Sequence, residues 1–345
     1  MTAPRRILIV RLSAIGDVIV TTPVSRALRQ AFPAAYVAWV VEPRAADVLR
    51  DNPFLDEVIP WERTRGGLRL RELLQITRVL RDRSFDTVID CQGLLRSAVL
   101  GRLSGARCLI GNVPAREQAH RLYTVRVARS QSDLSSRQRC LDLLRPLGIE
   151  STDRRMVVPV TDAARAEATS LLAQSGLDTG APYTCLVPAT TWPQKHWVED
   201  RWGELAARIA AETRSHPVLL GGPGDAALAR RVCARAGDRC LDLTGRTSLT
   251  TAAAVLAGAR CTVAVDTGLM HLSVATGTPT VGLCGASWFH GFEDYERFAL
   301  VREDLPCSPC LHHPTCDGRF DCMRALSVDR VLHAAAALLE EHGGG

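Results

Sequence analysis

Ile7-Leu-Ile-Val-Arg-Leu-Ser-Ala-Ile-Gly-Asp-Val-Ile-Val20 decides the fold. Residues 7–10 are apolar and read as a strand. A short loop carrying Ser13 and Gly16 follows, and a helix starts near Val18. Backbone N–H groups in such a Gly-containing loop, between a strand and a helix, face whatever binds there. Further along, 37–41 and 87–90 read as strands, with helices over 23–31, 68–81 and 94–103. The second half repeats the habit, with strands at 184–187, 218–220, 262–265 and 280–283. Its helices fall at 199–211, 225–236, 249–258 and 269–276, and a last helix at 328–340. Apolar strands alternating with helices indicate parallel sheets covered on both faces. The expected fold is therefore α/β, with two doubly wound, Rossmann-like domains. Their join is expected within the polar stretch 153–179, giving domains 1–160 and 161–345. Ligands of such sheets bind at the carboxyl ends of the strands, so two domains facing each other line one cleft.

The chain of 345 residues is long enough for two such domains. No apolar run approaches the length a membrane helix needs, and the opening segment is not a signal peptide, so the expected location is cytoplasmic. The net charge of +5 is modest but clustered. Arg63, Arg65, Arg69, Arg71, Arg78, Arg81 and Arg83 form one group; Arg116, Arg121, Arg126 and Arg129 form another. Such groups are either solvated helix faces or sites for phosphate and carboxylate. Only four tyrosines are present, and no aromatic–basic interleaving, so nucleic acid is not the expected partner. An anionic lipid or glycolipid fits the charge equally well, and the Arg63–Arg83 cluster admits a peripheral contact with the inner membrane.

Four strand-end segments carry candidate chemistry. In the first, Asp17 either acts as general base on an incoming hydroxyl or caps the following helix. The second is Pro188-Ala-Thr-Thr-Trp-Pro-Gln-Lys-His-Trp197, where Thr190, Thr191 and Lys195 offer hydroxyls and a mobile positive charge to a diphosphate. In the third, Leu219-Leu-Gly-Gly-Pro-Gly-Asp225, Asp225 either reaches ribose hydroxyls or caps a helix. This loop lacks full dinucleotide or P-loop spacing. The fourth is Val265-Asp-Thr-Gly-Leu-Met-His271. There Asp266 and Thr267 precede a helix whose first N–H groups, with Gly268, suit a diphosphate; His271 lies one turn in.

Taken in order, the segments 11–17, 85–94, 190–197 and 266–271 make the chain recognisable. It resembles the bacterial lipopolysaccharide heptosyltransferases, inverting sugar-nucleotide transferases of the GT-B fold, from about residue 7 to 287. The phrase Thr-Thr-Trp-Pro-Gln-Lys-His-Trp and Ala115-Arg-Glu117 are similar to the enzymes that add the first heptose to Kdo. The resemblance implies ADP-heptose as donor and a lipid A–Kdo or inner-core acceptor. It implies Asp17 as base, with Thr190, Thr191, Lys195, Asp225, Asp266, Thr267, Gly268 and His271 on the donor. Ser13, Gly16, Arg63, Arg65 and Arg116 fall on the acceptor side, Arg63 and Arg65 by charge alone. No cofactor is required for a single displacement, and magnesium dependence is left open because no acidic metal pair is visible.

Cys307, Cys310, Cys316 and Cys322 are clustered among twelve cysteines. Their C-x2-C-x5-C-x5-C pattern reads either as a structural zinc or iron site or as free thiols. Similar tail cysteines occur in second-heptose and protein heptosyltransferases. A heptosylated core or a protein therefore stands as the alternative acceptor. A non-catalytic nucleotide-sugar-binding protein is the alternative of a different class.

Overall fold

In the computed structural model, which describes residues 3–62, 70–129, 135–237, 240–287, 292, 295–311 and 313–342, residues 7–10 lie in the middle of a parallel sheet. Ile7 pairs with Val37 on one side and Thr87 on the other, and Val10 with Val40 and Asp90. The chain divides into two units, Met1–Pro159 and Val160–Gly345.

The first unit holds strands β1 (Arg6–Val10), β2 (Tyr36–Val41), β3 (Glu57–Pro60), β4 (Thr87–Asp90), β5 (Cys108–Val113) and β6 (Val125–Ala128). They are all parallel, in the order β3-β2-β1-β4-β5-β6. Its helices are α1 (Ile15–Thr21), α2 (Pro23–Ala31), α3 (Pro43–Ala46), α4 (Leu70–Asp82), α5 (Leu95–Leu103) and α6 (Ser136–Leu141). Alternation along β1 divides the core. Ile7 and Ile9 pack with Val18, Leu28 and Leu144 on one face, while Leu8 and Val10 pack with Leu80, Leu100 and Tyr123 on the other. Each such fully buried side chain contributes about 1.5–3 kcal/mol. With both faces covered, the strand has to be apolar throughout, and this is why it is so legible in the sequence.

The second unit holds β7 (Tyr183–Val187), β8 (His216–Leu219), β9 (Leu241–Asp242), β10 (Cys261–Val265), β11 (Thr280–Cys284) and β12 (Phe298–Arg302), again parallel, in the order β12-β11-β10-β7-β8-β9. Its helices are α7 (Asp162–Gln174), α8 (Glu199–Glu212), α9 (Ala226–Ala236), α10 (Leu249–Gly258), α11 (Gly268–Ala275), α12 (Asp321–Arg324) and α13 (Val328–His342). Cys185 and Cys261 are completely or almost completely buried and Cys284 nearly so. Burial pushes the thiols of Cys261 and Cys284 up to about 12, as expected of inert core cysteines.

The strands that the sequence pattern does not announce are mostly at sheet edges. β3, β6, β9 and β12 end the two sheets and carry Glu57, Arg126, Asp242 and Arg302. An edge strand is covered less completely, so it need not be continuously apolar. β5 is interior, but its pattern is broken by Gly111. The ring of Tyr123 lies over that glycine, where an added Cβ would come within 2.2 Å of it. The same tyrosine donates its hydroxyl to Asp90 Oδ2 at 2.7 Å. Among the described residues no helix is long and apolar enough to cross a membrane.

Strand order places the sites. In the first sheet the chain reverses its direction of travel between β1 and β4; in the second, between β7 and β10. At such switch points the connections leave to opposite sides and open a crevice beyond the strand ends. The segments 11–17 and 90–93 meet at the first. The segments 188–197 and 266–271 meet at the second.

Candidate functional site

At the first switch point, β1 delivers Arg11 and the loop 12–14, and β4 delivers Gln92. Gln92 Oε1 accepts the N–H groups of Leu12 (2.9 Å) and Ser13 (3.2 Å), so a side chain from one strand end holds the loop of the next. Gln92 is in turn fixed by Asp90, whose Oδ1 accepts the N–H groups of Gln92 and Gly93. Gly16 is buried in α1 and Ser13 is half-buried. The helix begins at Ile15, earlier than the sequence suggests, which puts Asp17 in its first turn. Asp17 Oδ2 accepts the N–H of Ala14 at 3.3 Å, and Oδ1 pairs with Arg11 Nη2 at 2.8 Å. Its side chain is nevertheless 50% exposed, so one carboxylate both caps the helix start and stays open to a ligand. Arg11 also donates to the carbonyl of Cys91.

At the second switch point, Lys195 Nζ meets Asp266 Oδ2 at 2.6 Å, with side chains only 15% and 11% exposed. Lys195 Nζ also sits 4.0 Å from the centre of the Trp192 ring. His271 Nε2 lies 3.8 Å from the other Asp266 oxygen. Burial by itself raises the Asp266 carboxyl, but the nearby His271 ring and the Lys195 charge outweigh it and hold the group well below the ordinary carboxylate range. The loop is stitched across strands. Thr190 Oγ1 donates to the carbonyl of Asp266 (3.0 Å), and the His196 ring bonds the carbonyl of Thr190 (2.9 Å). Thr191 is exposed beside them. Thr267 is the residue before α11 and Gly268 its first, so N–H groups of that first turn stand next to Lys195 and Asp266. The arrangement offers a cation, helix-start donors and hydroxyls together, the equipment for holding a diphosphate.

The other predicted residues fall as follows. Asp225 follows β8 on the same edge of the second sheet, but its Oδ2 accepts the N–H of Gly222 at 2.8 Å and holds the glycine-rich turn closed. Arg116 is exposed in a 3-10 stretch after β5, and its neighbour Glu117 accepts the N–H of Leu95. Arg63 and Arg65 lie outside the described residues.

The zinc or iron reading of the tail cysteines gains no support from the described residues. Four thiols would suit zinc or iron, yet among the described residues no three His, Cys, Asp or Glu side chains gather as a ligand set. Cys322 packs its Sγ against Gly285, where an added Cβ would come within 2.5 Å, and Cys316 Sγ accepts the N–H of Phe320. Hydrogen bonds pin the segment. Leu311 donates its N–H to Ala286 (2.7 Å), Gln194 Nε2 donates to the carbonyl of Leu311 (2.8 Å), and Trp197 Nε1 donates to the carbonyl of Leu326 (3.0 Å). The Lys195 loop is thus tied through Gln194 to the cysteine-rich segment.

Arg11, Gln92, Trp192 and Gln194 carry no role in the sequence reading. Each lies inside or next to a recognisable segment; Arg11, Gln92 and Gln194 are marked only by cross-strand partners, invisible in one dimension, and Trp192 by Lys195 three residues on.

The glycosyltransferase family 9 (heptosyltransferase) model matches residues 73–319. The chain belongs to that family. It is 33% identical to lipopolysaccharide heptosyltransferase 1 of Pseudomonas aeruginosa over 97% of this chain and 98% of that protein. It is 31% identical to the Escherichia coli K12 heptosyltransferase 1, over 81% and 88%. Among solved structures, E. coli heptosyltransferase WaaC with ADP-2-deoxy-2-fluoro heptose superposes with a TM-score of 0.73 at 28% identity, covering 96% of this chain and 99% of that one. A family 9 glycosyltransferase from Veillonella parvula gives 0.88 at 22% identity, covering 98% of each chain, and supports the fold. This family 9 chain is accordingly a glycosyltransferase on a GT-B-like α/β scaffold.

Proposed function

We propose that this enzyme transfers heptose from ADP-heptose to the Kdo residue of the lipopolysaccharide inner core, with inversion at the anomeric carbon. The observation that carries the reading is the Lys195–Asp266–His271 constellation over the start of α11, in a chain alike along nearly its whole length to a heptosyltransferase 1. In this reading the second unit, 161–345, takes the donor. Lys195, Thr190, Thr191 and the N–H groups at Thr267 and Gly268 hold the diphosphate, and their positive potential stabilises it as ADP departs. Asp266 and His271 hold the donor sugar, and Asp225 is the candidate ribose contact. The first unit, 1–160, takes the acceptor at Ser13, Gly16 and Arg116. Asp17 removes the proton from the acceptor hydroxyl, whose oxygen forms the new bond to the anomeric carbon while the bond to the diphosphate oxygen breaks on the opposite face. No step is routed through a cofactor. The half-exposed Asp17 supports its part, since a base must reach a proton on a bound ligand. A cytoplasmic location, with peripheral contact at the inner face of the inner membrane, follows from a lipid-linked acceptor.

The test is to incubate the purified protein with ADP-heptose and Kdo-terminated lipid A and to measure ADP release and acceptor mass. A gain of one heptose is expected. Tight ADP-heptose binding without transfer moves the acceptor to a heptosylated core or a protein. Neither binding nor transfer overturns the donor reading.

A further inference from the structure

The carboxylate proposed as base is held by the loop in front of it. Asp17 Oδ1 pairs with Arg11 Nη2 (2.8 Å) and Oδ2 accepts the N–H of Ala14 (3.3 Å), so its two oxygens are tied to residues 11 and 14. Between those residues, the N–H groups of Leu12 and Ser13 share one acceptor, Gln92 Oε1, at 2.9 and 3.2 Å. The other side of the loop rests on β2 and the residue after it. Trp39 Nε1 donates to the carbonyl of Arg11 (3.0 Å), and the N–H of Glu42 to the carbonyl of Leu12 (2.9 Å). Arg11 itself donates to the carbonyl of Cys91, the residue before Gln92. The anchor of Gln92 is firm. Asp90, 1% exposed, accepts four donors: the N–H groups of Gln92 and Gly93 on Oδ1 (2.9 and 3.0 Å), and the hydroxyls of Ser97 and Tyr123 on Oδ2 (2.9 and 2.7 Å). A buried carboxylate satisfied in this way fixes the backbone it bonds. A half-exposed aspartate has little packing of its own, so its aim depends on the groups that hold it.

We infer that Gln92 is a positioning residue for the transfer: by holding the middle of the loop 11–14 through Oε1, it fixes the two groups that orient Asp17. The inference rests on the proposed reading of Asp17 as base. Gln92 takes no proton and touches no reacting atom in this scheme. Displacing a catalytic group by about 1 Å can cost on the order of 100-fold in rate. A side chain behind the base therefore weighs on kcat without contacting the donor.

Steady-state transfer from ADP-heptose to Kdo-terminated lipid A decides it. Wild type, Gln92→Met, Gln92→Glu, Asp17→Ala and the double variant Gln92→Met with Asp17→Ala are compared, with thermal melting as a check on folding. Gln92→Met keeps the length of the side chain and removes the acceptor. It is expected to lower kcat about 10-fold to 100-fold, with the ADP-heptose KM within about twofold. Gln92→Glu keeps an acceptor at the same place, loses the amide donors, and should recover most of that loss. In the Asp17→Ala background, where residual transfer is followed over long incubations, the Met substitution should cost about twofold or less, because a residue that acts through Asp17 has nothing left to position. A residue that merely supports the fold would cost the same in both backgrounds. If Gln92→Met melts early, Gln92→Asn, whose oxygen is drawn back by one methylene, carries the same comparisons. Unchanged kcat in Gln92→Met, a Glu variant as slow as the Met variant, or a full further loss in the Asp17→Ala background overturns the inference and leaves the proposed function standing. Turnover of Asp17→Ala at the wild-type rate overturns both the base and its positioning.

Discussion

Asp17 and Asp266 each stand at the switch point of a six-stranded parallel sheet, Asp17 in the helix that follows β1 and Asp266 directly after β10. Their surroundings differ. Asp17 is 50% exposed and shares Arg11 with a backbone carbonyl, whereas Asp266 is 11% exposed and held by Lys195 and His271. The same architecture thus supplies one carboxylate that a ligand can reach and another locked into a buried ion pair. A reachable group suits chemistry on an incoming molecule. A locked pair suits a preorganised binding surface, in which the lysine is already in place before the ligand arrives.

This contrast breaks most directly at Asp17. Replacing it by Ala is expected to lower kcat by about 10²–10⁴-fold, the usual worth of a general base, while ADP binding by calorimetry stays unchanged. Turnover at the wild-type rate would remove Asp17 from the chemistry. Stability should fall too, because Arg11, only 14% exposed, loses its carboxylate; urea unfolding reads that loss separately from turnover.

At Lys195 the stability loss should dominate. Lys195→Met leaves Asp266 buried without its cation, so urea unfolding should show a loss of about 3–5 kcal/mol, together with weakened ADP binding. A variant as stable as wild type would show that the pair is not locked.

Acid sharpens the same point. The folded-state pKa of Asp266 is depressed, so its stabilisation is fully present above the ordinary carboxylate value, about 4, and is lost as pH falls below it. An Asp266→Asn variant should lack that part of the acid limb when stability is followed by urea titration below pH 5. Identical slopes in the two proteins would assign the acid limb to other carboxylates. The smallest effect is expected at Trp192. Trp192→Ala removes the ring under Lys195 Nζ, worth about 0.5–1 kcal/mol, and should weaken ADP binding by a few-fold at most.

Much of this molecule is visible in its sequence, for a physical reason. β1, β2, β4, β7, β10 and β11 are interior strands covered on both sides, so their burial forces apolar runs that stand out between helices. The segments at their ends contain Gly, Thr, Asp, Lys and His because those residues meet ligands and loops there. The edge strands are only partly covered and blend into the polar background. β5 hides for another reason, since Gly111 makes room for a ring twelve residues away in sequence. The four tail cysteines show the limit from the other side. Spacing admits a metal but says nothing of where each sulfur points, and among the described residues no ligand set is gathered.

The sequence by itself determined the two α/β halves, the parallel sheets and the four segments at strand ends, because periodicity and burial are written locally along the chain. Only tertiary structure decided which of those segments meet. Gln92 across to Leu12 and Ser13, Thr190 and Lys195 across to Asp266, and Gln194 across to Leu311 are contacts between strand ends or loops up to 117 residues apart. Strand order creates them, and strand order is fixed by packing of the whole sheet rather than by any one stretch of residues.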